Sequence, residues 1–571
     1  MTESSPLPTS PGKRRIPAWA APVLLCFLVS CCLVLPFFWL GSASGHDFEF
    51  HAASWFDAAF QWKEGTLYPR WTAWTNHGFG EPRFIFYPPL SWMLGAALTL
   101  AVSPPWVPIL LTVFTQTFAG LSAFFLVRRF ASPRSAALAA ACYVVNPGAM
   151  LMTYIRSDFA EQLACAFFPL ALLGALRIAG LLEDAFSFFA SIALFALSFA
   201  GVWLSNAPAG VIASYSVALL FALAALTQRS LRPLLRGAGG LVLGFGLASF
   251  YLVPAAYEQR WVNITQVLSA GLLPAENFLF TKIQDPEHTW FNWIASGCAL
   301  LLILFTAVLA LVSRRFTSRE APPARKGSAV VALLALGAAS TFLTLRVTMP
   351  LWNLLPKLRF VQFPWRWMSI LAVVFAVFLA IVLDRRRGWI WLLLFVVISA
   401  PLGFVLVNNG WWDADEMPTQ AAAISSGSGF DGADEYDPLQ DDHLDLPLHA
   451  PRVQVLSADE DGSQVPKARV HIERWSTEAK DLRVGTPQPV RVALRLLNYP
   501  AWRVQVNGHL VVPGRAEDVN QMVIPVAAGT SEIQVRFIRT SDRTVGLVLS
   551  LLSCVVTLLL FLAARRQIPR V

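Results

Sequence analysis

Hydrophobic and polar positions alternate on two different length scales along this chain. Through most of the first 407 residues, and again near the carboxyl end, apolar residues run for about 20 positions at a time, the length of helix that crosses roughly 30 Å of hydrocarbon. Such runs lie at 18–40, 106–127, 135–155, 162–181, 186–204, 208–227, 238–257, 291–312, 328–346, 366–383, 389–407 and 544–563, and they predict twelve membrane-spanning helices. Between the last two runs the pattern shortens to a period of two, as in Val490-Arg-Val-Ala-Leu-Arg-Leu496 and Glu532-Ile-Gln-Val-Arg-Phe-Ile538, with turn pairs at Asn507-Gly508, Pro513-Gly514 and Ala528-Gly529. That alternation predicts antiparallel strands with one buried face. The expected fold is an all-α polytopic membrane protein carrying a small extracytoplasmic β-sandwich. The expected divisions are a membrane core at 1–407 with juxtamembrane helices at 46–103, an acidic linker at 408–450, the sandwich at 451–543, and a last helix with a basic tail at 544–571.

Charge decides the orientation. Arg128, Arg129 and Arg134 stand in a short loop without Asp or Glu, and such loops stay in the cytoplasm. The apolar segment 88–102 precedes that loop; if it crossed, every later basic loop would face outward. It is therefore expected to lie on the outer surface. Counting from an inward amino terminus with Lys13, Arg14 and Arg15, the other inner turns carry Glu183/Asp184, Arg229/Arg232/Arg236, Arg314/Arg315/Arg319/Arg325/Lys326 and Arg385/Arg386/Arg387, and the carboxyl end carries Arg565/Arg566/Arg570. Both termini are thus expected in the cytoplasm. The first apolar run is longer than the roughly 7 to 15 residues of a signal peptide core, which favours an uncleaved helix.

Composition adds exclusions. With 56% hydrophobic and 14% charged residues the chain is too apolar for a soluble protein of 571 residues. Its net charge of +8 follows from orientation and anionic headgroups, so membrane lipids are partners and nucleic acid is not. All seven cysteines fall inside expected spans, leaving no disulfide framework or zinc knuckle. The stretch 411–449 holds ten Asp/Glu, no Lys or Arg, and the small-residue run Ser425-Ser-Gly-Ser-Gly429, the composition of a solvated linker. Its Asp431, Asp434, Glu435 and Asp437 have the chemistry of a calcium site at a spacing that matches no established loop.

Ionisable residues at one end of a membrane bundle mark a site. The first outer loop reads Gly45-His-Asp-Phe-Glu-Phe-His51, supplying His46, Asp47, Glu49 and His51; the second supplies Arg156, Asp158 and Glu161; a later one reads Arg359-Phe-Val-Gln-Phe-Pro-Trp-Arg366, supplying Arg359, Gln362 and Arg366. A carboxylate at the surface suits a general base toward an acceptor hydroxyl, and arginines suit bidentate contact with a phosphate. Asp158 and Glu161 with His46 would form an oxygen-rich set for a divalent ion such as Mg or Mn. The bland alternatives are a helix-capping carboxylate for Asp47, local ion pairing for Arg156, Asp158 and Glu161, a headgroup anchor for Arg366, and solvated loop histidines for His46 and His51.

In this order the elements resemble the GT-C superfamily of membrane glycosyltransferases. The resemblance covers roughly 17–407 and rests on Asp47 in the first outer loop, Phe86-Tyr-Pro-Pro-Leu90 opening a juxtamembrane helix, Arg156-Ser-Asp-Phe-Ala-Glu161, and Gln362-Phe-Pro-Trp-Arg366. Within it the chain is most similar to the bacterial pyruvoyl-tetrahydropterin-synthase-related membrane proteins and to large multispan proteins implicated in glycosylating cell-envelope polymers. The segment Leu497-Asn-Tyr-Pro-Ala-Trp-Arg-Val-Gln-Val-Asn-Gly508 resembles their external β-domain. The pterin label does not describe chemistry here, because no soluble zinc-histidine site is encoded.

The resemblance implies an inverting transfer of a sugar from a polyprenyl-phosphate-linked donor to an extracytoplasmic glycan or polymer acceptor. In it Asp47 would be the base, Asp158 and Glu161 a second acidic site, Arg366 the phosphate contact, and Glu49, Arg156, Arg359 and Gln362 further substrate contacts. The rival readings are a transporter or flippase of a lipid-linked saccharide, and a non-catalytic envelope scaffold.

Overall fold

The protein, as a computed structural model, is described over residues 20–182, 187–317, 324–439, 446–447, 449–458, 467–516 and 519–566. Among these, ten helices are long and apolar enough to cross a membrane, and two bent helix pairs raise the number to twelve. Lys13, Arg14, Arg15, Glu183, Asp184, Arg319 and Arg570, which carry part of the orientation argument, lie outside the described residues.

Two expected spans are not straight. Arg232–Leu247 and Ser249–Trp261 meet at 77°, and Gly327–Leu343 and Arg346–Leu354 meet at 90°. The first bend frees backbone groups that lipid could not satisfy, and Ser550 of the last helix serves them. Its hydroxyl accepts from Phe250 N at 2.8 Å and lies 3.0 and 3.1 Å from the carbonyls of Gly246 and Leu247. The last helix approaches closely because residue 546 is glycine: a Cβ there would stand 2.5 Å from Ser249 O.

The segment expected to lie on the outer surface forms the helix Pro89–Ala101. At 13 residues it is about 20 Å long, short of the roughly 30 Å of a hydrocarbon core. It packs against Phe48–Lys63 through buried Trp55 and Trp92. Gly95 makes the approach possible, since a Cβ would sit 2.2 Å from the Trp55 ring.

The acidic stretch is not a solvated linker where it is described. Trp412–Asp413 (β2) pairs with Ser42–Ala43 (β1), and the helix Glu416–Ser426 packs on Phe48–Lys63. Met417, Ala421, Ala423, Ile424 and Phe430 supply an apolar stripe among the acids that an average over the whole stretch conceals. Asp431 lies 3.1 Å from His77, and Asp437 accepts from Asn76. Among the described residues, no three His, Cys, Asp or Glu side chains gather as metal ligands, here or elsewhere.

Nine further strands build two antiparallel sheets. They are Val453–Ser457 (β3), Arg469–Ser476 (β4), Ala479–Thr486 (β5), Val490–Leu497 (β6), Trp502–Val506 (β7), His509–Val511 (β8), Gly514–Arg515 (β9), Gln521–Val526 (β10) and Gly529–Phe537 (β11). The orders are β3-β6-β10-β9 and β4-β5-β11-β7-β8. Val492, Leu494, Met522 and Ile524 from one sheet pack with Leu482, Val484, Ile533 and Val535 from the other, the filling of a sandwich. Trp71, Phe79, Ile85 and Phe86 of the first outer loop join the same core, so the sandwich is docked on that loop. A buried carboxylate fastens it further: Tyr499 donates to Glu258 at 2.7 Å, and Arg543 at the start of the last helix grips the same carboxylate at 2.7 and 2.8 Å.

Candidate active site

The third span ends irregularly. Met152–Arg156 forms a π-helical turn, and Ser157 follows with φ +53°, a left-handed conformation unusual for a residue with a Cβ. The strain is held by the first outer loop: Ser157 Oγ donates to Ala43 O at 2.6 Å and accepts from Gly45 N at 3.1 Å. Asp47 N donates to Arg156 O at 3.0 Å. Gly45 is required, because a Cβ would stand 2.1 Å from Ile155 O. The reversal ends at Asp158, whose Oδ1 accepts from Glu161 N at 2.8 Å and starts the helix Phe159–Ile178. Two loops more than a hundred residues apart are thereby joined at Asp47, Arg156, Asp158 and Glu161.

Arg366 completes the cluster from Pro364–Trp367, the turn that opens the tenth span. Its side chain is buried. Nε donates to Glu161 at 2.8 Å, one terminal nitrogen donates to Val361 O at 3.0 Å and Gln362 Oε1 at 3.2 Å, and the other lies 3.5 Å from Asp158. Arg156 pairs with Asp47, and its Nε is buried without a hydrogen-bond partner. Both guanidiniums lie over the stacked rings of Phe363 and Trp365. Three carboxylates thus face two guanidiniums. Asp47 is the member that reaches solvent, with 31% of its side chain exposed against 4% for Asp158 and for Glu161.

The carboxylates differ in proton affinity. Burial raises Asp47 above the ordinary value, opposed by the adjacent Arg156. Burial acts the same way on Asp158, but the neighbouring His51 ring, Arg366 and Arg156 outweigh it and hold this carboxyl well below the usual range. Asp158 is therefore a fixed anion, and Asp47 the more basic carboxylate at the mouth.

His51 is not a solvated loop histidine. It lies fully buried one turn into Phe48–Lys63, where the apolar face of that helix turns inward. Its Nε2 is 3.7 Å from Asp158, too far for a hydrogen bond, and neither ring nitrogen has a partner. His46 keeps part of its surface in solvent but packs edge-on to Phe291 and Trp411, and desolvation against these neighbours, with Arg156 and His288, lowers its pKa to about 4. Glu49 is exposed and accepts from Gln420, away from the arginines. Gln362, at φ +63°, donates to Val267 O at 2.7 Å and accepts from Arg366. Arg359 is exposed, and its carbonyl accepts from Gln362 N at 3.0 Å.

Tyr87 belongs to the site although sequence reasoning did not select it. Its ring lies against Phe50 and His51, and Asp158 and Asp47 are the leading charges at its hydroxyl. The signal was in Phe86-Tyr-Pro-Pro: Pro88 keeps Tyr87 extended, with ψ 130°, and so ends the short helix Arg83–Phe86. A cavity of about 30 Å³, room for one water, lies beneath Glu161 between Gln162, Asn146 and Ser369.

The residues do not fit a divalent ion in this arrangement. Arg366 stands between Asp158 and Glu161 and engages both, and His46 packs with aromatic rings.

A family profile described as 6-pyruvoyl-tetrahydropterin synthase related domain, membrane protein, matches residues 84–408, more than half of the chain. The chain belongs to this family. Membership in the 6-pyruvoyl-tetrahydropterin synthase related family makes it a membrane protein and covers the bundle from the Phe86-Tyr-Pro-Pro motif to the eleventh span. No curated protein matches the chain. Among solved structures, it is similar to the oligosaccharyltransferase of Archaeoglobus fulgidus in the apo form, with TM-score 0.42, 16% identity, and 72% of this chain and 56% of that one covered. A second is the archaeal oligosaccharyltransferase AglB from Archaeoglobus fulgidus in complex with an inhibitory peptide and a dolichol-phosphate, with TM-score 0.42, 15% identity, and 70% and 55% covered. This member of the family thus spans little more than half the length of those two chains.

Proposed function

We propose that this family member is a GT-C-like membrane glycosyltransferase that moves a sugar from a polyprenyl-phosphate-linked donor to an acceptor hydroxyl outside the cytoplasm. One observation carries the reading: a solvent-reaching carboxylate, Asp47, is paired to an arginine that has an unpartnered buried donor, Arg156. Asp47 takes the proton from the acceptor hydroxyl. The acceptor oxygen bonds to the anomeric carbon as the bond from that carbon to the phosphate oxygen breaks, and the electron pair leaves on the polyprenyl phosphate. Attack opposite the leaving group inverts the anomeric centre. Arg156 meets the charge growing on the phosphate.

The donors of Arg366 are directed at protein acceptors, so we assign it, with Asp158 and Glu161, to positioning the Arg156–Asp47 pair. Glu49, Arg359 and Gln362 are assigned to the margin of the substrate path. No step runs through a metal ion. The protein would sit in the bacterial inner membrane with both termini in the cytoplasm and the sandwich outside, beside a cell-envelope acceptor.

A transporter or flippase of a lipid-linked saccharide is the second reading, favoured by the two broken spans. Substitution Asp47→Asn separates them. Sugar incorporation into an envelope polymer should fall by two orders of magnitude or more at normal protein level. Incorporation at the original rate would remove the base assignment, and loss of lipid-saccharide translocation alone would favour the transporter.

A further inference from the structure

A second pocket lies at the other end of the Phe48–Lys63 helix, where the first outer loop meets the sandwich. Its volume is about 90 Å³. Three basic side chains line it, Lys480 of β5, Arg495 of β6 and Arg452 just before β3, against one carboxylate, Glu64; burial lowers the Lys480 pKa to about 7, so the two arginines carry the standing positive charge. Trp74 and Trp475 supply partly open aromatic walls, with Trp71 buried behind them in the core. Lys480 is only 4% exposed, yet its ammonium makes a single hydrogen bond, to Thr477 O at 2.6 Å, and otherwise faces the rings of Trp502 and Trp475 at 4.4 and 5.7 Å. Two further donors at the pocket, Trp74 Nε1 and Arg495 Nε, are buried without partners. Such groups are costly to bury unless something accepts from them. Gly78, at φ +89°, lets the Arg495 guanidinium approach the loop, where a Cβ would stand 3.1 Å from it.

We propose that this pocket binds an anionic saccharide segment, the aromatic walls taking the apolar face of a sugar and the cations taking its carboxylate. Cations and unpartnered N–H donors ask for an acid with several acceptor oxygens, and two partly open tryptophans ask for a flat, partly apolar body. A lipid headgroup fits less well, because none of the lining residues is an exposed large hydrophobic side chain that would meet acyl chains. Asp47 and Glu64 cap opposite ends of one 16-residue helix, which sets pocket and active-site cluster about 24 Å apart. That is several sugar units, so one polymer chain can occupy both. This last step rests on the glycosyltransferase reading; the binding itself does not.

Isothermal titration of the full-length protein in detergent with an oligogalacturonate, and with a neutral maltooligosaccharide of equal length, tests it. The acidic probe should bind at least tenfold more tightly. Arg452→Gln, at an exposed position, and Arg452→Gln with Arg495→Gln should each weaken it, the pair by tenfold or more. Asp47→Asn should leave it unchanged even where transfer is lost. Equal binding of the neutral probe, no measurable binding of the acidic one, unchanged affinity in the folded variants, or displacement by phosphatidylglycerol nanodiscs would each overturn the proposal. Transfer that survives Asp47→Asn while the pocket still binds would remove the catalytic reading alone.

Discussion

Replacing Arg366 by Met should destabilise the protein far more than replacing Arg156 by Met, although the two arginines lie in one cluster. Arg366 has 5% of its side chain exposed and Glu161 has 4%, so the substitution leaves carboxylates in a dry site with no cation in contact. Breaking a buried pair in this way costs about 3–5 kcal/mol. An independent scale comes from protonation: neutralising one ordinary carboxylate with pKa about 4.3 at pH 7 costs about 3.7 kcal/mol, at about 1.36 kcal/mol per pH unit. The deficit should therefore be about 3–4 kcal/mol at pH 7 and shrink by roughly 2 kcal/mol at pH 5.5. The sign follows because an orphaned carboxylate favours its neutral form, which acid supplies. For Arg156 the orphan is Asp47, which keeps 31% of its side chain in solvent, and the cost should stay within about 1 kcal/mol.

The assay is the midpoint of unfolding in detergent, read by tryptophan fluorescence at pH 7 and 5.5, for both variants and for Arg366→Met with Glu161→Gln. The double variant should recover about half of the deficit, since one of the two orphaned charges is gone. Equal losses for Arg156→Met and Arg366→Met, or a deficit at Arg366 that does not shrink in acid, would refute the division between a buried positioning arginine and a substrate-facing one.

Gly45→Ala should abolish the site's assembly, because the added Cβ would stand 2.1 Å from Ile155 O on the strained turn; the readout is loss of transfer together with a lowered unfolding midpoint. Ser550→Val removes the hydroxyl that serves Phe250 N, Gly246 O and Leu247 O at the bend, and should cost about 1–3 kcal/mol, whereas Ser553→Val nearby should cost less. Burial lifts Asp47 above the usual 3.8, so the acid limb of kcat/KM should fall as pH drops through a value higher than that, the base being lost on protonation. A limb with its midpoint at or below 3.8 would speak against Asp47 as the base.

What could be read from the sequence divides by the range of the forces involved. Span number and strand alternation follow from local periodicity, and there the twelve hydrophobic runs and the 490–537 alternation correspond to the helices and sheets found. The bends at 248 and 344 were not legible, because a straight run and a broken one have the same hydropathy. What permits the first bend is Ser550, three hundred residues away. The acidic stretch misled for a related reason: five apolar side chains at suitable spacing outweigh the charges around them once Phe48–Lys63 offers a partner face. At the site, residue type was informative and geometry was not. Arg366 looked like the phosphate contact because it stands at the mouth of a span, yet Val361 O, Gln362, Asp158 and Glu161 take up its donors. His51 looked like a surface residue because it closes the outer-loop segment Gly45–His51, but helical geometry turns position 51 toward Trp55 and Phe159. Local composition thus identified which residue types gather at the outer mouth, while the long-range clamp from Ala43 and Gly45 to Ser157 sets their arrangement there.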